Sequence, residues 1–259
     1  MKEPIKLIGN VASPYTRKMV AYLRYKRIPY EVIWGQPEDV LKKMNIEPPK
    51  PILLPVFILQ RDGQATAVTD STPLIREFEE KYPDRSVLPK DPALNFINFV
   101  LEDFGDEWCT KFMFHYRWHF DEDADNAGTI LPLGINSNLK DDELAFFKEH
   151  FAKRQIDRLW VVGSNNDTAE FIDNSYKRVL TIFEEHFKKQ PFLLGNFPSS
   201  CDFAVYGQFT QLVGFDPTPR RIAHEISPRT VAWVSTLEDR GGLSYSEENN
   251  SLDSLRDSI

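Results

Sequence analysis

The sequence predicts an α/β domain of order β-α-β then β-β-α, followed by an all-α helical bundle. Three observations carry that reading. Strand and helix signals alternate over roughly the first eighty residues, a proline-bearing stretch at Pro83, Pro89 and Pro92 ends the alternation, and no strand signal recurs after Ala93. The expected boundaries are residues 1–84 for the α/β domain, 85–92 for a linker, 93–243 for the helical domain and 244–259 for a flexible tail.

Each element has a local cause. Ile5 to Gly9 is a short apolar strand, Pro14 to Arg27 places Met19, Val20 and Leu23 on one helical face, and Tyr30 to Trp34 returns to β-type residues. Such a β-α-β unit is expected to be parallel with a right-handed crossover. Pro37 to Met44 reads as a short helix, and Asn45 to Leu54, holding Pro48, Pro49 and Pro51, as irregular chain. Pro55 to Gln60 and Ala65 to Val68 flank an Asp62-Gly63 turn signal, which predicts an antiparallel hairpin. Ser71 is expected to cap a helix whose inner face is Leu74, Ile75 and Phe78. In the second part, helical spacing runs from Leu94 to about His119, then from Asp142 to Trp160, Ala169 to Lys189, Ser200 to about Val213 and Val231 to Leu237. Between the first two, Asp121 to Asp125 reads as a solvated acidic turn, followed by irregular chain to about Lys140. It begins like a calcium loop, but Asn126 stands at the glycine position and Pro132 at the twelfth.

Composition narrows the function classes. The 259 residues carry 31 Lys plus Arg against 39 Asp plus Glu, a net charge of −8, which argues against a nucleic-acid-binding surface. No apolar run approaches the roughly 18 residues of a membrane helix, and the first residues lack a signal-peptide core, so a cytoplasmic protein without membrane partners is expected. The two cysteines, Cys109 and Cys201, stand far apart and form no Cys-x-x-Cys pair, which excludes dithiol redox chemistry and a thiolate zinc site. His115 and His119 are four apart with no third ligand beside them, so no metal is expected.

Three segments hold candidate chemistry. Ser13-Pro14-Tyr15 lies between the first strand and first helix, where Pro14 suits the first helical position and Ser13 the N-cap. A capping serine accepts a backbone N–H and keeps its hydroxyl hydrogen free, beside a helix end that favours anions; it serves as a cap alone or as a donor to a thiolate. Leu54-Pro55 opens a strand with a proline, the residue type that readily takes a cis peptide bond. Asp70-Ser71 at the next helix start can meet an ammonium with the acid and a carboxylate with the hydroxyl and first-turn amides, although Pro73 removes one such amide.

In this order and spacing, the three segments resemble the thioredoxin-like domain of the cytosolic glutathione transferases. Phe192 to Phe203 is similar to that family's buried capping motif, with Ser199 as N-cap and Asp202 as the acid of a capping box. The resemblance covers residues 5–90 and 190–213. It implies a cytoplasmic, dimeric enzyme of detoxification that activates the thiol of its co-substrate glutathione for conjugation to, or reduction of, a small hydrophobic electrophile. A non-catalytic binding relative and a glutathione-dependent isomerase or lyase are the alternatives.

Position by position, the resemblance makes Ser13 the hydroxyl donor to the sulfur, with Tyr15 a distant second. Leu54 becomes the backbone partner of the cysteinyl unit, Pro55 the cis-proline, and Asp70 and Ser71 the pair for the γ-glutamyl end. Lys42 or Lys50 is assigned to the glycyl carboxylate. Trp108, Phe112, His115 and Tyr116 form an aromatic stretch at helical spacing and are assigned to the hydrophobic-substrate pocket, with core packing as the competing role.

Overall fold

The computed structural model describes residues 3–244. The tail expected over 244–259 lies, apart from Ser244, outside the described residues. Four strands form one mixed sheet in the order β2-β1-β3-β4, with β1 at Ile5–Gly9, β2 at Tyr30–Trp34, β3 at Val56–Arg61 and β4 at Gln64–Val68. β1 runs parallel to β2, pairing Leu7 with Val32, and antiparallel to β3, pairing Leu7 with Phe57. The hairpin β3-β4 turns at Asp62-Gly63, where both residues take positive φ, as a tight turn at Asp-Gly requires. Helices α1 (Pro14–Lys26) and α3 (Ser71–Lys81) cover one face of the sheet, burying Met19, Leu23 and Ile75 against Leu7 and Phe57. Helix α2 (Pro37–Met44) closes the other face, where Leu41 meets Ile8 and Val56.

Residues 85–92 are tied down rather than loose. Arg85 donates to the carbonyls of Tyr25 and Leu243, and Ser200 N donates to the Val87 carbonyl at 2.9 Å. Among the described residues eight α-helices follow: α4 (Pro92–Asp103), α5 (Cys109–His119), α6 (Asp121–Ile135), α7 (Asp141–Ile156), α8 (Ala169–His186), α9 (Ser200–Gly214), α10 (Pro217–Ile226) and α11 (Pro228–Leu237). Helix α9 is buried on nearly every side and packs along α1, so Phe203 and Phe209 join Tyr22 and Tyr25 in one core shared by both halves. Gly207 makes that packing possible: a Cβ there would stand 2.5 Å from the Pro14 carbonyl oxygen.

Three expectations for the helical part are corrected. The run from Leu94 to His119 is two helices joined by a π-helical turn over Phe104–Trp108. The turn sits where α9 comes closest, a Cβ on Gly105 lying 2.6 Å from the Val205 nitrogen. The segment Asp121 to Asp125 is the opening of α6 rather than an acidic turn. Its acids favour the positive helix end, and Asp123 also accepts from the Thr218 amide at 2.8 Å. Finally, Pro217–Ile226, outside the expected helices, forms α10, opened by Pro217 and set against α9.

Candidate functional site

The loop after β1 is held from within and from behind. Asn10 Oδ1 accepts from the Ala12 amide at 2.9 Å, and Ser13 N donates to the Asn10 carbonyl at 3.0 Å. Ser13 then caps α1, its Oγ accepting from Thr16 N at 3.2 Å, so its own hydroxyl hydrogen remains free to donate. From the helical half, buried Arg117 donates to the Ala12 carbonyl at 3.1 Å, with Asp216 Oδ1 at 2.9 Å and Gln211 Oε1 at 2.8 Å holding the rest of its guanidinium. Burial pushes the Asp216 carboxyl up to about 6, while the Arg117 charge pulls it down.

A cleft of about 690 Å³ opens in front of Ser13. One wall carries Ser13, Tyr15, Leu54, Asp70 and Ser71; the other carries Phe99 and Asp103 of α4 with Asp106 and Glu107 of the π turn. The Leu54–Pro55 peptide is cis, and so is Lys50–Pro51. Tyr15 donates its hydroxyl to the Asp106 carbonyl at 2.7 Å, and burial drives its phenol well above the usual range. That proton is committed to a carbonyl, which removes Tyr15 as a thiol activator.

At the next helix start the capping assignment changes. Asp70 is the N-cap of α3, its side chain accepting from Thr72 N at 3.3 Å, and Ser71 is the first helical residue. Ser71 Oγ is held instead by the ammonium of Lys18, which is fully buried and reaches it at 3.0 Å. Lys18 also donates to Asp106 Oδ2 at 2.6 Å and to Thr72 Oγ1 at 3.3 Å, and stands 3.5 Å from Glu102 Oε1. Glu102 is shared further with Arg76 and with Ser200, whose hydroxyl donates at 2.7 Å. Because an ammonium only donates, Ser71 Oγ acts as acceptor toward Lys18 and keeps its hydrogen for a partner elsewhere. Burial raises the Asp106 carboxyl and the Lys18 charge lowers it; its second oxygen, Oδ1, is buried and has no hydrogen-bond partner among the described residues.

The structure thus brings Ser13, Leu54, Asp70 and Ser71 together on one cleft and leaves other candidates outside it. Lys42, on α2 across the sheet, and Lys50, in the loop before β3, are exposed and line no part of it. The aromatic stretch is not its wall. Phe112, His115 and Tyr116 point into the helical core, and Trp108, 56% exposed, lies outside the cleft lining. His115 is held at Nδ1 by Ser164 at 2.7 Å, and burial lowers its pKa to about 4. Ser199 and Asp202 form a capping box at the start of α9, Asp202 accepting from the Ser199 and Leu193 amides at 2.8 Å each. Burial lifts the Asp202 carboxyl to about 7. Among the described residues no group of three or more His, Cys, Asp or Glu side chains is arranged to hold a metal.

Sequence reasoning missed Lys18, Asp106 and Arg117. A helical lysine ordinarily reads as surface, and only the partners on α3, α4 and α9 reveal the burial. Phe99, Asp103 and Glu107 were missed because nothing local distinguishes them from an exposed helix face.

Comparison with known proteins identifies the family. The family model described as Glutathione S-transferase, N-terminal domain, matches residues 7–86, and that described as Glutathione S-transferase, C-terminal domain, matches residues 166–240. The chain belongs to the glutathione S-transferase superfamily. A curated relative, glutathione S-transferase U4 of Arabidopsis thaliana, is 28% identical over 109 residues, covering 40% of this chain and 47% of its own length. Among solved structures, a glutathione transferase family member from Pseudomonas fluorescens with two glutathione bound superposes with TM-score 0.57 at 15% identity, over 92% of both chains. FzlA from C. crescentus superposes with TM-score 0.54 at 15% identity, over 97% of this chain and 98% of its own. A Burkholderia graminis glutathione transferase, with two glutathione molecules per subunit, gives 0.54 at 17% identity over 93% and 90%. At these identities the superpositions establish the fold. No helix among the described residues is long and apolar enough to cross a membrane.

Proposed function

We propose that the cleft binds glutathione and that Ser13 activates its thiol for transfer to a small electrophile with an apolar body. The observation that carries this reading is the free hydroxyl hydrogen of Ser13, left over because Oγ accepts from Thr16 N, on a cleft shared with Leu54, Asp70 and Ser71. Glutathione-bound neighbours of the same fold support the choice of ligand. In this reading the Leu54 backbone pairs with the cysteinyl unit, Asp70 meets the γ-glutamyl ammonium, and the Ser71 hydroxyl, aligned by Lys18, donates to the γ-glutamyl carboxylate. The thiol gives its proton to solvent, the sulfur forms a bond to an electrophilic carbon, and the leaving group departs with its electron pair.

Ser13 and the positive end of α1 stabilise the thiolate over the thiol. A cysteine thiol titrates near 8.5, and each unit of depression corresponds to about 1.4 kcal/mol. The test is a titration of bound glutathione by thiolate absorbance, with turnover of a general electrophile alongside. In Ser13→Ala the thiol pKa is expected to rise by about one to two units and turnover near neutral pH to fall roughly ten- to a hundredfold. Unchanged values in a variant that still binds glutathione would show that this side chain does not face the sulfur. The same reading takes the protein as a cytoplasmic homodimer; exposed Phe96 and Val100 on α4 offer an apolar face for a second copy, and sedimentation velocity measures whether one binds.

A further inference from the structure

The charge on the cleft is one-sided. Among the described residues five carboxylates line it, from Asp70, Glu102, Asp103, Asp106 and Glu107, and no Lys or Arg does. Two of them are answered from behind: Lys18 and Arg76 neutralise Glu102 and Asp106. The other three are not. Asp70, Asp103 and Glu107 are exposed and make no ion pair among the described residues. Asp103 and Glu107 are one turn apart, on the wall opposite Ser13, and that wall also carries Phe99, 58% exposed. Leu53, half exposed, faces the cleft from the irregular loop before β3. Asp106, only 7% exposed, is held by Lys18 and Thr72 and leaves the unpaired charge of the cleft to the exposed acids.

A thiolate ligand enlarges the imbalance. Glutathione brings two carboxylates and one ammonium, and ionising its thiol adds a further negative charge beside an already acidic wall. A second substrate that is itself anionic meets repulsion from both sides, whereas one bearing a cation gains from both. Phe99 and Leu53 supply an apolar surface for the rest of such a molecule, and the face of Phe99 attracts a cation. We propose, building on the glutathione reading above, that the electrophile is an amphipathic cation: an apolar or aromatic body with a protonated or quaternary amine held by Asp103 and Glu107. The transfer itself is unchanged, with a sulfur–carbon bond formed and the leaving group expelled with its electron pair.

The experiment uses the full chain with glutathione and three matched benzyl chlorides: uncharged, with a trimethylammonium group, and with a carboxylate. Each catalysed rate is divided by its uncatalysed rate with glutathione, which removes intrinsic reactivity. The ammonium compound is expected to exceed the carboxylate by about 30-fold at ~20 mM salt, narrowing below about fivefold at ~0.5 M as screening sets in. In the doubly substituted Asp103→Asn, Glu107→Gln protein the ratio should fall at least about fivefold, and Phe99→Leu should lower it about twofold. A ratio near one, a preference for the carboxylate, or a preference the double substitution leaves intact would overturn the proposal.

A binding arm keeps this separate from the transfer reading. Unreactive methyl analogues of the charged pair are titrated calorimetrically, with and without glutathione. If nothing turns over, thiol transfer fails, yet ammonium binding at least about tenfold tighter than carboxylate binding still supports the cation site. Equal affinities overturn it even if transfer proceeds.

Discussion

The two walls of the cleft are built in opposite ways. The wall carrying Ser13, Leu54, Asp70 and Ser71 consists of helix starts and a strand entry, each produced by a few consecutive residues, and it offers hydroxyls and backbone. The wall carrying Phe99, Asp103, Asp106 and Glu107 is one helix and a π turn shaped by distant neighbours, and it offers charge and apolar surface. In the proposed reading the first kind of wall holds the glutathione and the second, shaped by distant neighbours, chooses the partner molecule. Lys18 is the point at which the two meet, since one ammonium serves Ser71 on one wall and Asp106 on the other.

The largest expected effect comes from breaking that joint. Lys18→Met strips the counter-charge from buried Asp106 and weakens Glu102. The expected loss is about 3–5 kcal/mol of stability, or on the order of 10 °C in melting temperature. Adding Asp106→Leu should return at least about 1 kcal/mol, because the stranded charge is then gone. Denaturant unfolding of the two variants measures both numbers. If the single variant loses under about 1 kcal/mol, the walls are not coupled through this lysine.

The contrast also explains what could be read from the sequence. Every strand, with α1, α2 and α3, stands within a residue or two of its expected bounds because caps, prolines and alternation are local signals. In the second half the failures share a cause. The helix α6 contains Gly128 and Pro132, both poor local evidence for a helix, yet Gly128 lets it pack against Lys148 on α7 and Asp123 bonds the start of α10. The π turn answers to the backbone of α9, about a hundred residues downstream, and the misassigned aromatic pocket follows from the same blindness. Periodicity identifies a stripe such as Phe112, His115 and Tyr116, and only the fold decides whether it faces a ligand or Tyr176.

The shared packing of the halves offers the next test. Gly207→Ala puts a methyl 2.5 Å from the Pro14 carbonyl oxygen, so α9 and the start of α1 must separate. A loss of about 1–3 kcal/mol is expected, with weakened glutathione binding because Ser13 rides on that helix start. Equilibrium unfolding and ligand calorimetry check it. Full stability would mean that the two helices yield freely.

Acid acts on the helical half in two senses. His115 titrates near 4 in the fold against 6.5 when free, so the unfolded chain binds more protons between those values and stability rises with pH across that window. Asp202 titrates near 7 against 3.8, so the folded chain holds the extra proton, and stability falls as pH rises from about 4 to 7. Replacing His115 by Phe should therefore lower the slope of stability against pH between 4 and 6.5 by at most about 1.4 kcal/mol per unit, leaving the opposing Asp202 contribution in place. Urea unfolding at four pH values measures the slope, and an unaltered slope would place the acid sensitivity elsewhere.

The smallest stability effect is the most informative about the local wall. Ser13 caps α1 and, in the proposed reading, also donates its hydroxyl to the thiolate, and alanine removes both together. Glycine separates them: as an N-cap it costs only a few tenths of a kcal/mol, where alanine costs about 1 kcal/mol. Ser13→Gly should therefore melt close to the parent protein and above Ser13→Ala, while the thiol pKa of bound glutathione rises as far in one as in the other. If the thiol pKa instead tracks stability across the two variants, the helix end rather than the hydroxyl is what favours the thiolate, and the division of labour between the walls must be redrawn at Ser13.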